Sequence, residues 1–484
     1  MQDNNEKMLH LLEYLRGLLD TFRSSFSREA SFENFKVAVT GFLIADEVNA
    51  VTDLVRYFDY PEPDKLYERL ISFFHASSYS VQDLQKVWAG VIGELSCHVK
   101  IGKFNLLVGD GVKVAKSGKV MACVKKMHQE SESMAKRTYI FGHFYGSMGV
   151  IIGSGSKAFF IPIETTIQDG IHTVKSWIDP SYQEKSHVVQ MMESAGRCLP
   201  SIGTSILALD RYFLTLSAIS TLKETNELQE NLEKGHSIIL VTKTRSNGVA
   251  FEPPPKESPH KRGPKRKKGN TVKLYDLFDK KEAEFKKATI FFYGKVQEVE
   301  YFSIDLQWGI GKYHPMRFVL VKHDGMRSIL VSSSDTLTSE QIIESYSYRW
   351  KCEQAFKDAK HTVGTFSSHF WTLSMPRLDR YRRKGLPDPL AAVEGKDRQR
   401  RIISNFEAFE KMAMVGNIAQ GLLQLLALKA NEIGYEPTKY LRSRSQLVMS
   451  EDSMNYELRK TINWSIGPNG YGPIPRLINL MLAS

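Results

Sequence analysis

The stretch Tyr346–Lys360, YSYRWKCEQAFKDAK, spaces Tyr346, Arg349, Glu353 and Lys360 so that an unbroken α-helix would carry a phenol, a guanidinium, a carboxylate and an ammonium on one face. A helix is expected from about Ser339, because Thr338 and Gln341 have capping-box spacing, no Gly or Pro interrupts the run, and apolar residues recur with helical period. A charged stripe is ordinarily a solvated face. Two aspartates elsewhere argue for chemistry instead. Asp110 follows the apolar run Phe104–Val108, and Asp210 follows Ser205–Leu209. Each reads as a carboxylate delivered at the C-terminal end of a buried strand, Asp110 into a loop at Gly109-Asp110-Gly111. Three carboxylates gathered in one pocket repel one another and raise each other's pKa unless a cation neutralises them. Hard divalent ions do this with oxygen ligands, and Mg2+ keeps positions open for water and phosphate. Two such ions about 4 Å apart activate a water or a 3′-hydroxyl and stabilise the leaving oxygen of a phosphodiester. Asp110, Asp210 and Glu353 are therefore the expected catalytic residues and metal ligands.

The elements that must position these residues are legible in chain order. Residues 1–100 carry five helical stretches, Met8–Phe22, Phe32–Leu43, Val48–Tyr57, Leu66–Phe74 and Val81–Leu95, a domain suited either to DNA-end recognition or to plain packing. Residues 101–250 open with the strand Phe104–Val108. Tyr139–Ile152 and Lys157–Thr166 follow as a meander, then a helix at Ser186–Arg197, the strand Ser205–Leu209, further helix through Glu233 and the strand Ser237–Val241. Three strands, helix, strand, helix, strand is the order of a ribonuclease H-like mixed sheet flanked by helices, an α/β fold. Residues 251–335 form a basic loop and a β-rich insertion. The loop, Phe251–Asn270, holds Lys265, Arg266, Lys267 and Lys268; the strands are Ala288–Tyr293, Lys295–Ser303 and the hairpin Arg317–Val331, turning at Asp324-Gly325. Residues 336–370 complete the core with the charged helix. Residues 371–484 are basic and helical, with Arg382 and Arg383 in a segment that also bears Tyr381, and with a long amphipathic helix, Ile402–Ile433, for core or subunit packing.

The 484 residues carry a formal net charge of +11 and a pI near 9.2, which favours a polyanionic partner, nucleic acid first and an anionic membrane surface second. Arg349 and Lys360 suit phosphates, one as a bidentate fork and the other as a point charge, and Tyr346 suits a phosphate or an unpaired base. Lys265, Arg266, Lys267, Lys268, Arg382 and Arg383 are further expected DNA contacts. No apolar run approaches the roughly 20 residues that span a bilayer, and the start MQDNNEKM is unlike a signal peptide, so a soluble, cytoplasmic protein without a membrane partner is expected. Cys97, Cys123, Cys198 and Cys352 lack zinc-site spacing and read as buried free thiols; Cys97 and His98, adjacent in sequence, are poorly placed to converge as a nucleophile pair.

The spacing Y-(2)-R-(3)-E-(6)-K, met in full by Tyr346, Arg349, Glu353 and Lys360, resembles the signature of a large group of bacterial insertion-sequence DDE transposases. LLVGDG around Asp110 and ALDRYF around Asp210 resemble that group's first and second acidic motifs, and the β-rich insertion before Glu353 is similar too. The resemblance runs from about Phe104 to Lys360 and extends plausibly to the first 100 residues. It implies a ribonuclease H-like core in which Asp110, Asp210 and Glu353 bind two Mg2+ ions, with Mn2+ as a substitute. It also implies cleavage at the ends of a mobile element followed by strand transfer into target DNA, by a homodimer or larger assembly on paired double-stranded ends, at the bacterial nucleoid. Tyr346, Arg349 and Lys360 would contact DNA near the cleaved end. In relatives that pass through a DNA hairpin an insertion aromatic supports a flipped base, and Trp308 stands in that region. Two other readings share part of this pattern: a ribonuclease H-like nuclease that cuts without strand transfer, and a non-catalytic DNA-binding transposition inhibitor.

Overall fold

Unbroken apolar runs make the centre of the fold. In the computed structural model, described for residues 2–58, 62–129, 138–255, 266–379, 388–437 and 448–465, Ser205–Ala208 is buried at every position and Ile238–Thr242 likewise, as strands covered on both faces must be. The strands are β1 Lys100–Ile101, β2 Phe104–Ala115, β3 Lys125–His128, β4 Tyr139–Ile152, β5 Phe159–Ile167, β6 Ser205–Ala208, β7 Ile238–Lys243, β8 Val249–Phe251, β9 Thr271–Lys273, β10 Lys286–Phe292, β11 Lys295–Trp308, β12 His314–His323 and β13 Met326–Ser332. Five of them lie side by side in the order β5-β4-β2-β6-β7. β4 is antiparallel to both β5 and β2, whereas β2, β6 and β7 are mutually parallel neighbours. Beyond β7 the same sheet continues through β13, β12 and β11 to β8 and β9, so the β-rich insertion extends the central sheet. Its hairpins turn at Tyr293-Gly294 and Asp324-Gly325, where both residues of each pair have positive φ, the geometry that tight two-residue hairpins need.

Strand parity divides the core. Leu107, Leu207 and Leu240 face a large cluster that includes Met191 and Leu199 of the crossover helix His187–Ile202. Leu106, Val108, Ile206, Ala208, Ile239 and Val241 face the opposite way and are covered by Ile342, Ile343, Tyr346 and Cys352. The helices Gln2–Asp20, Glu29–Ile44, Val51–Arg56, Pro63–His75 and Val81–Gly93 match the expected helical stretches closely. They pack around the helix Lys396–Glu432, sharing the larger cluster with it and with the sheet. Trp88 anchors this assembly: its Nε1 donates to the Pro162 carbonyl at 2.9 Å.

Three expectations need correction. The long helix starts at Lys396 and is buried nearly all round between Ala408 and Ala427, so it is a central helix and not an amphipathic one. It is the one helix among the described residues long and apolar enough to cross a membrane, and 94% of its apolar window is buried inside the fold. Asp110 lies within β2, paired with Ser147, and not in a loop. Gly109 and Gly111 are there for close packing, since a Cβ would come within 2.6 Å of Met191 at the first and 2.4 Å of Phe144 at the second. The charged helix is two helices, Ser339–Ser347 and Trp350–Asp358, ending in a π-turn, Ala359–Val363. Between them the hydrogen bonds tighten to i→i−3, with Arg349 N donating to Tyr346 O and Cys352 N to Arg349 O.

Candidate active site

Register brings the two aspartates near each other. β2 and β6 pair in parallel from Asn105 beside Ser205 to Val108 beside Ala208, and Asp210 follows two residues past the end of β6, close enough to Asp110 for the two carboxylates to repel. Both have the parity of Val108 and Ala208, the face covered by the charged helices. The Thr338 hydroxyl caps the first of those helices by accepting from Gln341 N, and Gln341 Oε1 accepts from Thr338 N at 2.9 Å. Glu353 sits in the first turn of the second helix, and Arg349 at the junction.

Arg349 joins the pieces. Its Nη1 donates to Asp110 Oδ2 at 3.2 Å and its Nη2 to Glu353 Oε1 at 2.5 Å, and it hydrogen-bonds the Tyr346 phenol. Burial pushes the Asp110 carboxyl up to about 6. The carboxylates of Asp210 and Glu353 push the same way, against the pull of Arg349 and of the Gly111 N–H, which donates to Asp110 Oδ1 at 2.7 Å. Asp210 accepts from Arg211 N at 2.7 Å, and its main-chain oxygen accepts from the Thr242 hydroxyl at 2.9 Å. Burial alone would lower the Arg349 pKa, but Tyr346, Asp110 and Glu353 outweigh it and raise it.

The expected DNA contacts divide. Tyr346 is buried, with its phenol pKa raised by burial, so it supports Arg349 and does not face solvent. Lys360 is exposed on the π-turn, where its Nζ approaches the Lys113 carbonyl at 3.4 Å. The tightened turn and the π-turn explain the split, because neither keeps the 100° step that put all four residues on one stripe. Arg266, Lys267 and Lys268 are exposed between β8 and β9 at the far margin of the sheet, and Lys268 Nζ stands 4.2 Å from the Phe251 ring centroid. Lys265, Arg382 and Arg383 lie outside the described residues.

Three neighbours of the site were not singled out from sequence. Lys243 ends β7 with the parity of Ile239 and Val241, which aims it at the same face. Burial lowers its pKa, with Arg211 and Arg349 adding to the effect and Asp210 opposing it. Arg211 follows Asp210 directly and is exposed. Tyr293, at the β10–β11 turn, interacts electrostatically with Arg349 and Glu353, and its phenol is raised by burial. The Cβ position of Gly294 lies 3.6 Å from the Trp350 ring, so this hairpin tip leans on the charged helix. On the opposite face of β2, beside Gly111, His187 bonds Gln168 Oε1 through Nδ1 and packs against Phe144, and burial takes its imidazole down to about 4. Alternating residues along β7 and a positive-φ turn at Tyr293-Gly294 were the available signals. Trp308, in contrast, pairs with His314 at the other end of β11 and packs against the large core.

The cysteines are free, with Cys123, Cys198 and Cys352 buried and Cys97 half-buried. His98 Nε2 bonds the Ile92 carbonyl at 2.7 Å, and burial raises the Cys97 thiol, so the pair is not a poised nucleophile. The trio of carboxylates fits a hard divalent cation by its chemistry: all donors are oxygens, and Asp110 is already raised by burial and by the other two. Among the described residues no three His, Cys, Asp or Glu side chains lie close enough to hold a metal ion, and Arg349 takes an oxygen of both Asp110 and Glu353. No protein-family model, curated protein or solved structure matches the chain.

Proposed function

We propose that the chain is a DNA transposase of the DDE type, with a ribonuclease H-like catalytic core, that cleaves the ends of an insertion sequence and joins them to target DNA. The observation that carries this reading is Asp110 on β2, joined to Glu353 through Arg349 and repelled by Asp210, which follows the neighbouring strand β6. The strand order β5-β4-β2-β6-β7, an antiparallel meander followed by two parallel strands with helical crossovers, supports the ribonuclease H-like assignment. A net charge of +11 supports a polyanionic substrate.

Asp110, Asp210 and Glu353 would hold Mg2+, which when bound supplies Lewis-acid stabilisation of the phosphodiester oxygens and a nucleophile at neutral pH. The chain's own side chains do the holding. Lys243 and Arg211 lie on the Asp210 side, and Lys360 lies on the far side of Asp110 near Lys113, so a backbone crossing the trio meets a cation on each flank. Burial of Tyr346 and Cys352 beneath the trio keeps water off its inner side. A homodimer or larger assembly on paired double-stranded ends, working at the nucleoid in the bacterial cytoplasm, completes the proposal.

Glu353→Gln tests it. The variant is expected to lose Mg2+-dependent nicking of DNA carrying the element's own ends while binding those ends nearly as wild type does, because the contacts reside on basic residues. Cleavage at the wild-type rate would remove Glu353 from the trio and the proposal with it.

A further inference from the structure

The segment that follows the π-turn presents two large apolar side chains to solvent. Trp371 is 63% exposed and Leu373 83%, and Trp371 is the one exposed tryptophan among the described residues. Their backbone is firmly held. On either side Phe370 packs against Phe74 and Phe409, and Met375 is buried in the same large core. Lys116 Nζ holds the carbonyls of Phe366 and Ser368. Thr372 N donates to the Val120 carbonyl at 3.1 Å, Leu378 N to the Lys119 carbonyl at 2.7 Å, and Met375 N closes a turn on the Thr372 carbonyl at 3.1 Å.

Apolar residues exposed singly are ordinary surface. What sets this turn apart is the cations around it. Lys119 and Arg377 are exposed, and the bond between Leu378 N and the Lys119 carbonyl draws their backbones together. Among the described residues neither side chain has an ion-pair or hydrogen-bond partner. Arg398, exposed on the helix Lys396–Glu432, donates from Nε to the Ser374 carbonyl at 2.7 Å, which brings a third cation to the turn. Of the carboxylates close in sequence, Asp379, Glu394 and Asp397, the last is paired with Arg400 at 3.1 Å. A protein-binding surface is apolar at its centre and poor in lysine. A flat ring flanked by cations instead matches an unpaired nucleotide, whose base stacks on the ring while its phosphates meet the charges.

We propose that the turn Thr372–Met375 is a docking site for single-stranded nucleic acid, in which an unpaired base stacks on Trp371 while Lys119, Arg377 and Arg398 hold the flanking phosphates. This rests on the nucleic-acid half of the transposase reading and is independent of its chemistry. Both arms of the platform belong to the framework of the carboxylates: Lys119 and Val120 continue the chain from β2, which carries Asp110, and Trp371 continues it from the helix of Glu353. Every base has a π-face, so binding here is expected to be tolerant of sequence.

The test is fluorescence anisotropy on the full chain with a short labelled oligo(dT) and with a base-free strand of equal length, in the absence of divalent ions. Trp371→Ala is expected to weaken oligo(dT) binding about tenfold, within the range for one stacked base, and to leave the base-free strand unaffected. Trp371→Phe should retain most of the affinity. Lys119→Ala and Arg377→Ala should weaken both strands and each reduce the salt slope by roughly 0.7. No binding of oligo(dT) by wild type, wild-type binding by a Trp371→Ala variant that melts normally, or an equal loss on the base-free strand overturns the inference. So does a Trp371→Ala variant that dissociates into smaller species by light scattering with its oligo(dT) affinity intact, which would make the turn a contact between copies of the chain. None of these readouts involves strand cleavage. A failed nicking assay would sink the transposase reading and leave the stacking platform standing, whereas an unaffected Trp371→Ala would do the reverse.

Discussion

Lys116, one residue beyond β2, donates from Nζ to two main-chain carbonyls, Phe366 at 2.7 Å and Ser368 at 2.6 Å, in the segment that follows the π-turn. Burial draws its ammonium down to about 7. A neutral amine keeps two N–H donors, one for each carbonyl, so deprotonation loses neither bond. In the unfolded chain the same lysine stays charged up to about 10.5, so between pH 7 and 10.5 the unfolded state binds the extra proton and stability rises with pH. The contribution is lost as pH falls toward 7, below which both states are protonated and the charged form stays buried at a cost. Urea unfolding at pH 7, 8 and 9 should show wild type gaining on Lys116→Met by at most about 1.4 kcal/mol per pH unit. A constant difference across that range would contradict the low folded-state pKa. Lysines of this kind are hard to read from sequence. Lys116 and Lys243 stand in runs that look like ordinary strand ends, and only pairing and parity reveal that one is enclosed and the other aimed at Asp210. Asp110 stood out in the sequence as a candidate site residue but not as a strand residue, because Gly-Asp-Gly has the composition of a turn and nothing in it announces Met191 or Phe144.

Helices show the same contrast between periodicity and packing. Pro63–His75 in the first 100 residues was readable because it has one buried face, of Leu66, Leu70, Phe73 and Phe74, whereas Glu29–Ile44 is buried at every position from Phe35 onward. Lys396–Glu432 was misread as amphipathic because its polar residues are buried as well; Gln420 Nε2 donates to the Ala355 carbonyl and Gln424 Nε2 to Glu451 Oε1. Its Gly421 is a point of contact, where a Cβ would fall 2.5 Å from the Trp88 ring and 3.3 Å from Ile161. Trp88 is fully buried and tethered through Nε1, so it cannot give way. Gly421→Ala is therefore expected to destabilise by about 1–3 kcal/mol, although alanine is the better helix former. Gly17, on the exposed side of Gln2–Asp20 with nothing within 4 Å of its Cβ position, should respond oppositely, with Gly17→Ala stabilising by roughly 0.5–1 kcal/mol. Thermal melts of the two variants separate the effects, and a shift of both in one direction would refute the packing argument. The break at Tyr348–Arg349 left no sequence mark. Both residues keep right-handed helical angles, and only the hydrogen-bond spacing changes.

Across the whole molecule the helices of the first 100 residues, one face of the central strands and the helices Lys396–Glu432 and Glu451–Ser465 contribute to a single apolar cluster, with Phe35, Trp88, Leu207, Leu422 and Met454 among its members. A shared core predicts shared unfolding. Tryptophan fluorescence and far-UV circular dichroism should trace coincident denaturation curves, whereas separate midpoints would show that the N-terminal helices fold apart from the sheet. The strand order was legible because the central strands are short apolar runs joined by helical crossovers. The continuation of the sheet from β7 into β13 was not, since pairing between strands distant in sequence leaves no local signal. The register of β2 against β6 carries one more implication. Side chains alternate across a sheet, so inserting a single residue between Asn105 and Asp110 would do more than displace the carboxylate by one strand rise. It would turn Asp110 to the side of Leu107, away from Asp210, while leaving most of the ladder pairable. Length changes in this stretch are thus constrained by even and odd count: a gain of two residues keeps the carboxylate on its face, and a gain of one turns it into the side where Met191 and Phe144 pack against Gly109 and Gly111.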